Sequence, residues 1–395
     1  PLRRAAREFP VIVLTGPRQS GKTTTLRRLF GKDCRYVSLE PPDIRMAAVH
    51  DPRGFLDLNP PPVIFDEIQH APELLPYIKE LVDENRGRRG AFILSGSQNI
   101  LLAERTTETL AGRAAVLKLM PLTNREILGR PESPFPWEPG YGIPRGKPLS
   151  GPALWENFTR GYYPEPVSEP GRDIPLWHAS YLQTYLERDV RTIRQAGDLT
   201  LFQSFLRALA ARSAQLVNFT DIGRDLGVAA NTIRAWVSVL EATYQIIILR
   251  PYYADVGKRL VKTPKVYFVD TGTLCNLAGL KDPEHAALGP MGGSIIETAV
   301  VSEIFKTMLN RGEEPRIHFW RTSTGTEVDI IVEHERKLVP IEVKLSSTPS
   351  PAMASGIKAL KALLGDRVAP GYLVHPGDVR LPLGDGVVAL PFSYL

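Results

Sequence analysis

Val11-Ile-Val-Leu-Thr-Gly16-Pro-Arg-Gln-Ser-Gly21-Lys22-Thr23-Thr-Thr25 joins an apolar run to a glycine-rich segment. The first four residues are Val, Ile and Leu, which predicts a short buried strand. The remainder matches G-x-x-x-x-G-K-[ST], the pattern of a phosphate-binding loop between a strand and a helix. Its two glycines let the backbone bend until successive N–H groups turn toward phosphate oxygens. We therefore expect an α/β fold in which a parallel sheet carries a P-loop nucleotide site.

The loop residues have distinct expected roles. Lys22 reaches the β- and γ-phosphates, and the Thr23 hydroxyl binds Mg²⁺. A helix from Thr23 to about Leu29 directs the positive end of its dipole at the same anion. ATP and Mg²⁺ are thus the expected ligands. The residues expected to contact the nucleotide are Gly16, Pro17, Arg18, Gln19, Ser20, Gly21, Lys22, Thr23, Thr24 and, at a later strand end, Ser97.

A second apolar run, Val63-Ile-Phe-Asp66-Glu67, ends in two carboxylates. This pattern is typical of a Walker B strand, in which the first acid holds Mg²⁺ and the second polarises the attacking water. We expect Asp66 to be the metal residue and Glu67 to be catalytic together with Lys22. An acidic pair at a strand end also occurs by chance, but it follows a complete P-loop here.

Two further positions are open to more than one interpretation. The strand Ala91-Phe-Ile-Leu-Ser95 is followed by Ser97 and Gln98, which either touch the γ-phosphate or water, or form a plain turn. Arg113 precedes the predicted strand at 115–119. It is either an arginine finger that contributes to catalysis, a contact to the γ-phosphate, or a surface residue.

Composition limits the class of protein. The chain has 395 residues, 43% of them hydrophobic, and a formal net charge of +5. Its two cysteines form no metal or redox motif, and no apolar run reaches the roughly 18 residues of a membrane span. We expect a cytoplasmic protein that does not associate with membranes. The basic balance permits a nucleic-acid partner.

The middle of the chain contains two helical runs separated by a glycine, in Phe219-Thr-Asp-Ile-Gly-Arg-Asp-Leu-Gly227 and the segment that follows it. Helical spacing puts Ile233, Val237 and Leu240 on a buried side and leaves Asn231, Thr232, Arg234 and Ser238 outward. With strands at 245–249 and 265–269 and the basic Lys258, Arg259 and Lys262, this predicts a winged helix-turn-helix. It either binds DNA or packs between domains.

A charged constellation follows near the C-terminus. Glu297 lies on or beside the apolar face of a helix that runs to about Leu309, where a carboxylate needs a reason to be. Asp329 and Glu342 lie on two neighbouring strands, and Lys344 shares a strand face with Glu342 because the two are two positions apart.

Two family resemblances emerge from these motifs. The ordered runs G-P-R-Q-S-G-K-T, I-F-D-E-I-Q, L-S-G-S-Q, L-A-G-R and P-L-T-N-R-E-I resemble the prokaryotic AAA-type ATPases fused to a C-terminal domain of unknown function. The resemblance covers nearly the whole chain and implies an N-terminal ATPase domain.

The C-terminal constellation resembles the PD-(D/E)xK nuclease fold. The resemblance implies that Asp329 and Glu342 are metal ligands, that Lys344 positions the attacking hydroxide, and that Glu297 completes the site. The chain departs from the pattern, because Glu327-Val-Asp329 stands where the family has Pro-Asp.

The predicted organisation has four parts: an AAA-type ATPase domain at 1–130, a Pro/Gly-rich linker at 131–153, a helical and winged-helix region at 154–270, and a nuclease-like α/β domain at 271–395. We expect an Mg²⁺-dependent ATPase that couples hydrolysis to nucleic-acid binding or processing, with DNA favoured. The alternative is a nucleotide-gated DNA- or protein-binding scaffold with an inactive nuclease-like domain. Homo-oligomerisation is compatible with both.

Overall fold

The computed structural model describes residues 1–85, 87–96, 109–185, 199–252 and 263–395. These residues form two compact units. The first comprises Pro1–Pro121, Ala242–Tyr244 and Met308–Glu313, and the second comprises Leu122–Glu241, Gln245–Thr307 and Glu314–Leu395.

The first unit is built on a five-stranded parallel sheet with the strand order β2-β3-β4-β1-β5. The strands are β1 Val11–Thr15, β2 Arg35–Ser38, β3 Val63–Asp66, β4 Phe92–Ser95 and β5 Ala114–Lys118. Its helices are Leu2–Glu8, Lys22–Phe30, Pro42–His50, Pro52–Leu58 and Leu74–Glu84. Every residue of β1, β3 and β4 is buried, as expected of central strands covered on both faces. The prediction of a parallel α/β sheet behind the loop is confirmed.

Alternate residues of β1 enter different cores because side chains alternate along a strand. Val13 belongs to the cluster that includes Ile78 of the helix Leu74–Glu84. Leu14 belongs to a second cluster with Leu26, on the helix that follows the loop. The loop after β1 is therefore anchored at both ends by buried apolar side chains.

The strand order sets the position of the polar residues at the strand ends. Strand β4 lies between β1 and β3, and its last residue, Ser95, is in register with Leu14 on one side and Asp66 on the other. Because the strands are parallel, their carboxyl ends meet at one edge. This edge carries both the glycine-rich loop and the two acids at the end of β3, Asp66 and Glu67.

The second unit contains an eight-stranded mixed sheet with the order β12-β13-β11-β10-β9-β8-β6-β7. Strands β8, β9 and β10 are antiparallel neighbours, whereas β10, β11 and β13 are parallel. The strands are β6 Ile246–Pro251, β7 Lys265–Phe268, β8 Ile317–Arg321, β9 Glu327–His334, β10 Lys337–Val343, β11 Gly371–His375, β12 Leu381–Gly384 and β13 Val387–Pro391. The C-terminal part is thus α/β, as predicted.

The second unit also contains helices. Those that belong to the second unit wholly or in large part are Asn124–Ile127, Gly151–Arg160, Pro164–Ser168, Ile174–Tyr185, Leu199–Ala210, Phe219–Leu226, Ala230–Ala242, Thr271–Leu277, Pro283–Leu288, Gly292–Arg311 and Ser355–Leu364.

The predicted helix-turn-helix has its two helices, Phe219–Leu226 and Ala230–Ala242, joined at Gly227 with a left-handed φ of 69°. The expected faces are also found. Ile233, Val237 and Leu240 are buried, while Asn231, Arg234 and Ser238 are exposed and Thr232 is half-buried. The two strands predicted to complete a wing are β6 and β7, and β6 also pairs with β8 in the large sheet. The basic residues Lys258, Arg259 and Lys262 lie outside the described residues. The winged helix remains a prediction.

The Pro/Gly-rich segment predicted as a linker has no strand, and its first helix begins at Gly151. It is nevertheless packed. Phe135 is fully buried and stacks on Trp137 with ring centroids 4.6 Å apart. The hydroxyl of Tyr372 donates to the carbonyl of Pro136 at 2.7 Å. These contacts hold the segment against β11.

Candidate functional site

The glycine-rich loop bends at residues whose backbone angles favour glycine. Gly16 has a φ of 149°, and a Cβ there would lie 2.0 Å from the carbonyl oxygen of Leu119. Gly21 has a φ of 88° and directly precedes the helix that begins at Lys22. Geometry therefore requires glycine at both positions of the loop motif, at Gly16 by close approach and at both Gly16 and Gly21 by positive φ.

Lys22 is directed into the loop. Its ammonium donates to the carbonyls of Gly16 at 3.0 Å and Pro17 at 2.8 Å, and the residue is 6% exposed. The hydroxyl of Ser20 is buried and has no hydrogen-bond partner among the described residues. A phosphate group fits this environment, because its oxygens would accept from both the ammonium and the hydroxyl.

Asp66 collects three hydroxyl donors at the end of β3. Oδ2 accepts from Thr23 at 2.7 Å and from Tyr36 at 2.7 Å, and Oδ1 accepts from Ser95. Burial acts to raise the pKa of Asp66, but these hydrogen bonds outweigh burial, and the pKa is lowered. The structure thus pairs the two residues predicted to hold Mg²⁺, with an ionised carboxylate and a hydroxyl, both oxygen ligands suited to that ion.

Glu67 directly follows β3 in the left-handed region, with φ 58° and ψ 46°. A non-glycine residue in this region costs about 1–2 kcal/mol, and such strain is common at functional sites. The side-chain amide of Gln69 donates to the Glu67 carboxylate. The Glu67 carboxylate therefore follows a left-handed turn after Asp66, and the side-chain amide of Gln69 holds the Glu67 carboxylate in place.

Arg113 forms a bidentate ion pair with Asp83. Its Nε lies 2.8 Å from Oδ1 of Asp83 and its Nη2 lies 2.9 Å from Oδ2. This pair raises the pKa of Arg113. In this arrangement the guanidinium links the residue directly before β5 to the helix Leu74–Glu84 through Asp83. The assignment of Arg113 as an arginine finger remains a prediction.

The other predicted loop contacts differ in exposure. Pro17 is buried, Arg18 is half-buried, and Gln19 and Thr24 are exposed. Ser97 and Gln98 lie outside the described residues.

Two residues of the site were not predicted. Ser95, two positions before Ser97, is the strand-end hydroxyl that contacts Asp66. Its register opposite Asp66 is the signal that could have identified it. Tyr36 lies on β2, next to β3, and Arg27 stacks on its ring at 3.9 Å. Burial and the bond to Asp66 raise the pKa of Tyr36 to about 12, so its hydroxyl remains a donor.

The C-terminal residues form a second cluster, within the second unit. Lys344 Nζ lies 2.7 Å from Oε2 of Glu342 and 3.5 Å from Oδ2 of Asp329. The amide of Val343 also donates to Oδ2 of Asp329 at 2.8 Å. Burial and the adjacent carboxylate of Asp329 raise the pKa of Glu342 to about 8. Three of the four predicted residues therefore lie together.

Glu297 joins this cluster through a residue that was not predicted as part of it. Lys265 Nζ lies 3.0 Å from Oε1 of Glu297 and 4.0 Å from Oδ1 of Asp329. The hydroxyl of Tyr267 donates to the same Glu297 oxygen at 2.6 Å. Burial and the charge of Asp329 raise the pKa of Glu297 to about 7. Among the described residues, no group of three or more His, Cys, Asp and Glu side chains is arranged to hold a metal ion.

Three family models match successive segments of the chain. A family described as an AAA domain matches residues 8–128. Two domains of unknown function match the rest of the chain, DUF8612 at residues 152–284 and DUF4143 at residues 292–395.

Two curated relatives match along nearly the full chain. They are the uncharacterized protein Mb2031c of Mycobacterium bovis and the uncharacterized protein Rv2008c of Mycobacterium tuberculosis. Each is 32% identical over 99% of this chain and 82% of its own length. Among solved structures, the Walker-type ATPase PABY2304 of Pyrococcus abyssi matches with a TM-score of 0.43 and 15% identity. The match covers 70% of this chain and 93% of that one.

Within the part of the chain that the structure describes, no helix is both long enough and apolar enough to cross a bilayer.

Proposed function

The chain belongs to the family of the two mycobacterial relatives, and we propose that it is an Mg²⁺-dependent ATPase. The observation that carries the proposal is the 2.7 Å hydrogen bond between Thr23 and Asp66. It joins the end of the P-loop to the end of β3, so that a hydroxyl and a carboxylate are ready to share one cation. The AAA domain match over residues 8–128 supports the same assignment.

Each residue has a separate task in this proposal. Loop amides and the ammonium of Lys22 bind the phosphates, exchanging the carbonyls of Gly16 and Pro17 for phosphate oxygens. Thr23 and Asp66 would hold Mg²⁺, which would neutralise charge on the phosphates. Glu67 orients and polarises the attacking water.

The test is steady-state ATP hydrolysis by the full chain with Lys22→Ala and Glu67→Gln. We expect each substitution to lower kcat by at least about 10²-fold, and we expect Glu67→Gln to keep nucleotide binding. Lys32→Ala and Glu73→Gln are matched controls, since both residues are exposed and lie outside the site. Hydrolysis at the parent rate in both site variants would show that the assignment is wrong.

For the C-terminal half we propose nucleic-acid binding, with DNA favoured, coupled to the ATP cycle. The supporting observation is the exposed row of Asn231, Arg234 and Ser238 on the second helix of the helix-turn-helix. Side chains on such a helix reach base edges or phosphates. The net charge of +5 favours the same class of partner.

This second proposal is tested by measuring binding of double-stranded DNA, single-stranded DNA and RNA across salt concentrations. Phosphate contacts make affinity fall steeply as the salt concentration rises. Arg234→Ala should therefore reduce the slope of log affinity against log salt concentration by about one. ATPase rates measured with each nucleic acid test the coupling. Absent or salt-independent binding would leave the alternative, a nucleotide-gated scaffold with a protein partner.

A further inference from the structure

The C-terminal carboxylate cluster contains a buried ammonium at its centre. Lys265 opens β7, and its side chain is 4% exposed. Its Nζ contacts carboxylates from two different elements: Glu297 on the helix Gly292–Arg311 at 3.0 Å, and Glu327 and Asp329 on β9, the latter at 4.0 Å. A lysine with almost no solvent contact requires this set of anions to remain in place.

Three other carboxylate oxygens of the cluster have cationic partners, Oε2 of Glu327, Oδ2 of Asp329 and Oε2 of Glu342. Arg321 Nη1 lies 2.6 Å from Oε2 of Glu327, on the side opposite to the oxygen that Lys265 contacts. Lys344 Nζ bridges Glu342 at 2.7 Å and Asp329 at 3.5 Å. Two ammonium groups and one guanidinium therefore face four carboxylates, and the cluster comes close to charge balance from its own side chains.

Backbone packing leaves little free volume beside these oxygens. A Cβ at Gly356 would lie 2.3 Å from Oε1 of Glu342 and 1.9 Å from the carbonyl of Glu327. The helix Ser355–Leu364 thus begins in direct contact with the cluster. The hydroxyl of Tyr267 also donates a 2.6 Å hydrogen bond to Oε1 of Glu297.

A divalent ion held by Glu297 and Asp329 would have to replace the ammonium of Lys265, and one held by Asp329 and Glu342 would have to displace the ammonium of Lys344. Mg²⁺ requires carboxylate oxygens at about 2.0–2.1 Å, and Ca²⁺ at about 2.3–2.6 Å, with the oxygens converging on one point. In this structure Glu297 and Asp329 converge on Nζ of Lys265 instead. A metal ion at that point would meet both a steric clash and the repulsion of a neighbouring positive charge.

We propose that Lys265 is a covalently attached substitute for a divalent cation, so that the cluster of Glu297, Asp329 and Glu342 binds no metal while Lys265 is present. The cluster is then a structural and electrostatic centre rather than a site of metal-dependent phosphodiester cleavage. This inference is independent of the ATPase proposal, because it concerns metal binding at the residues around Lys265 and not nucleotide binding at the P-loop.

The experiment measures Mn²⁺ binding to the full chain by electron paramagnetic resonance, in an Asp66→Asn background that removes the nucleotide-site ligand. We expect the Asp66→Asn protein to bind no Mn²⁺ that depends on Asp329. With Lys265→Ala added, we expect one Mn²⁺ site, which a further Asp329→Asn change abolishes. Lys358→Met is the matched control, since Lys358 is an exposed lysine paired with Asp385 outside the cluster.

Thermal unfolding provides a second readout. Removal of Lys265 leaves buried carboxylates facing one another, so Lys265→Ala and Lys265→Met, each in the Asp66→Asn background, should lower Tm. Mn²⁺ should raise the Tm of these variants but not that of the Asp66→Asn protein with Lys265 intact. The proposal is overturned if the Asp66→Asn protein with Lys265 intact already binds Mn²⁺ through Asp329. It is equally overturned if folded Lys265 variants gain no Mn²⁺ site. Should both Lys265 variants fail to fold, Mn²⁺ binding by the Asp66→Asn protein with and without Asp329→Asn still tests the claim that the cluster binds no metal while Lys265 is present, and a loss of bound Mn²⁺ on Asp329→Asn overturns it.

Discussion

The phenolic hydroxyl of Tyr36 lies 2.7 Å from Oδ2 of Asp66 and donates to it. The same oxygen accepts from Thr23, so one carboxylate oxygen joins β2, β3 and the helix after the P-loop. Asp66 is therefore positioned before any cation arrives.

Replacing Tyr36 by Phe should remove one donor to an ionised carboxylate while leaving the ring under Arg27. We expect a loss of about 1.5–3 kcal/mol in the free energy of unfolding, the usual contribution of a hydrogen bond to a charged group. ATP hydrolysis should persist, since Thr23 and Ser95 still hold Asp66. Urea unfolding and steady-state kinetics measure the two effects.

Tyr77→Phe provides the comparison for Tyr36→Phe. The ring of Tyr77 also lies beneath an arginine, Arg53, at 5.1 Å. Equal stability losses in the two variants would show that the bond to Asp66 contributes nothing measurable.

Gly16→Ala should disable the loop. The added Cβ would lie 2.0 Å from the Leu119 carbonyl, so the backbone must move, and the positive φ adds strain of about 1–3 kcal/mol. We expect at least about a tenfold loss of affinity for a fluorescent ATP analogue, with a lowered Tm. Gly87→Ala is the control, because a Cβ there meets nothing within 4 Å. Parent-like nucleotide affinity in Gly16→Ala would contradict the proposed packing of the loop.

Arg113 provides a test of action between subunits. If it is a finger acting on a neighbour's nucleotide, specific ATPase activity should rise with protein concentration, and Arg113→Ala should lower kcat by about 10³-fold. Mixing inactive Arg113→Ala and Glu67→Gln chains should then restore activity.

Arg53→Ala is the matched change for Arg113, because Arg53 is likewise paired with a carboxylate, that of Glu80. A variant of Arg113 that loses stability but keeps kcat would show that the arginine only braces Asp83. In that case the surface-residue interpretation is correct.

His375 should give the stability of the protein a pH dependence. It is fully buried, the amide of Gly377 donates to its Nδ1 at 3.1 Å, and Nε2 lies 2.9 Å from the carbonyl of Val379. Burial lowers the pKa of His375, so the folded state favours the neutral ring.

The stabilisation from neutral His375 is complete above the unfolded-state pKa of about 6.5. It falls as the pH decreases below that value, by at most about 1.4 kcal/mol for each pH unit, until the folded-state pKa is reached. Urea unfolding between pH 8 and pH 5 should show this contribution in the parent and in His50→Gln, an exposed histidine. Glu297 and Glu342, whose pKa values are raised to about 7 and about 8, contribute with the opposite sign in all three proteins. The contribution of His375 is therefore the difference between the parent and His375→Gln, and an unchanged pH dependence in His375→Gln would exclude His375 as a source.

Local pattern predicted much of the first unit. Apolar runs located β1 and β3 to within a residue, and the loop motif located the start of the helix Lys22–Phe30. Helical spacing likewise predicted the buried side of Ala230–Ala242, because that face depends on residues three and four positions apart.

Contacts between distant parts of the chain could not be predicted in this way. Ser95 contacts Asp66 only because β4 lies between β3 and β1, an order that no single run of sequence specifies. Lys265 was interpreted as part of a wing strand. Its partners Glu297 and Asp329 are far along the chain, on the helix Gly292–Arg311 and on β9, and only the tertiary fold brings them to its ammonium.

The pairing of β6 with β8 has a consequence for dividing the chain. Tyr252 donates its amide to Phe319 at 2.7 Å, continuing the ladder that Arg250 and Pro251 form with β8. A fragment that begins at residue 271 would leave β8 as an unprotected edge, able to pair with a second copy and aggregate. It would also lack Lys265. Any metal binding or self-association seen in such a fragment would belong to the cut and not to the intact protein.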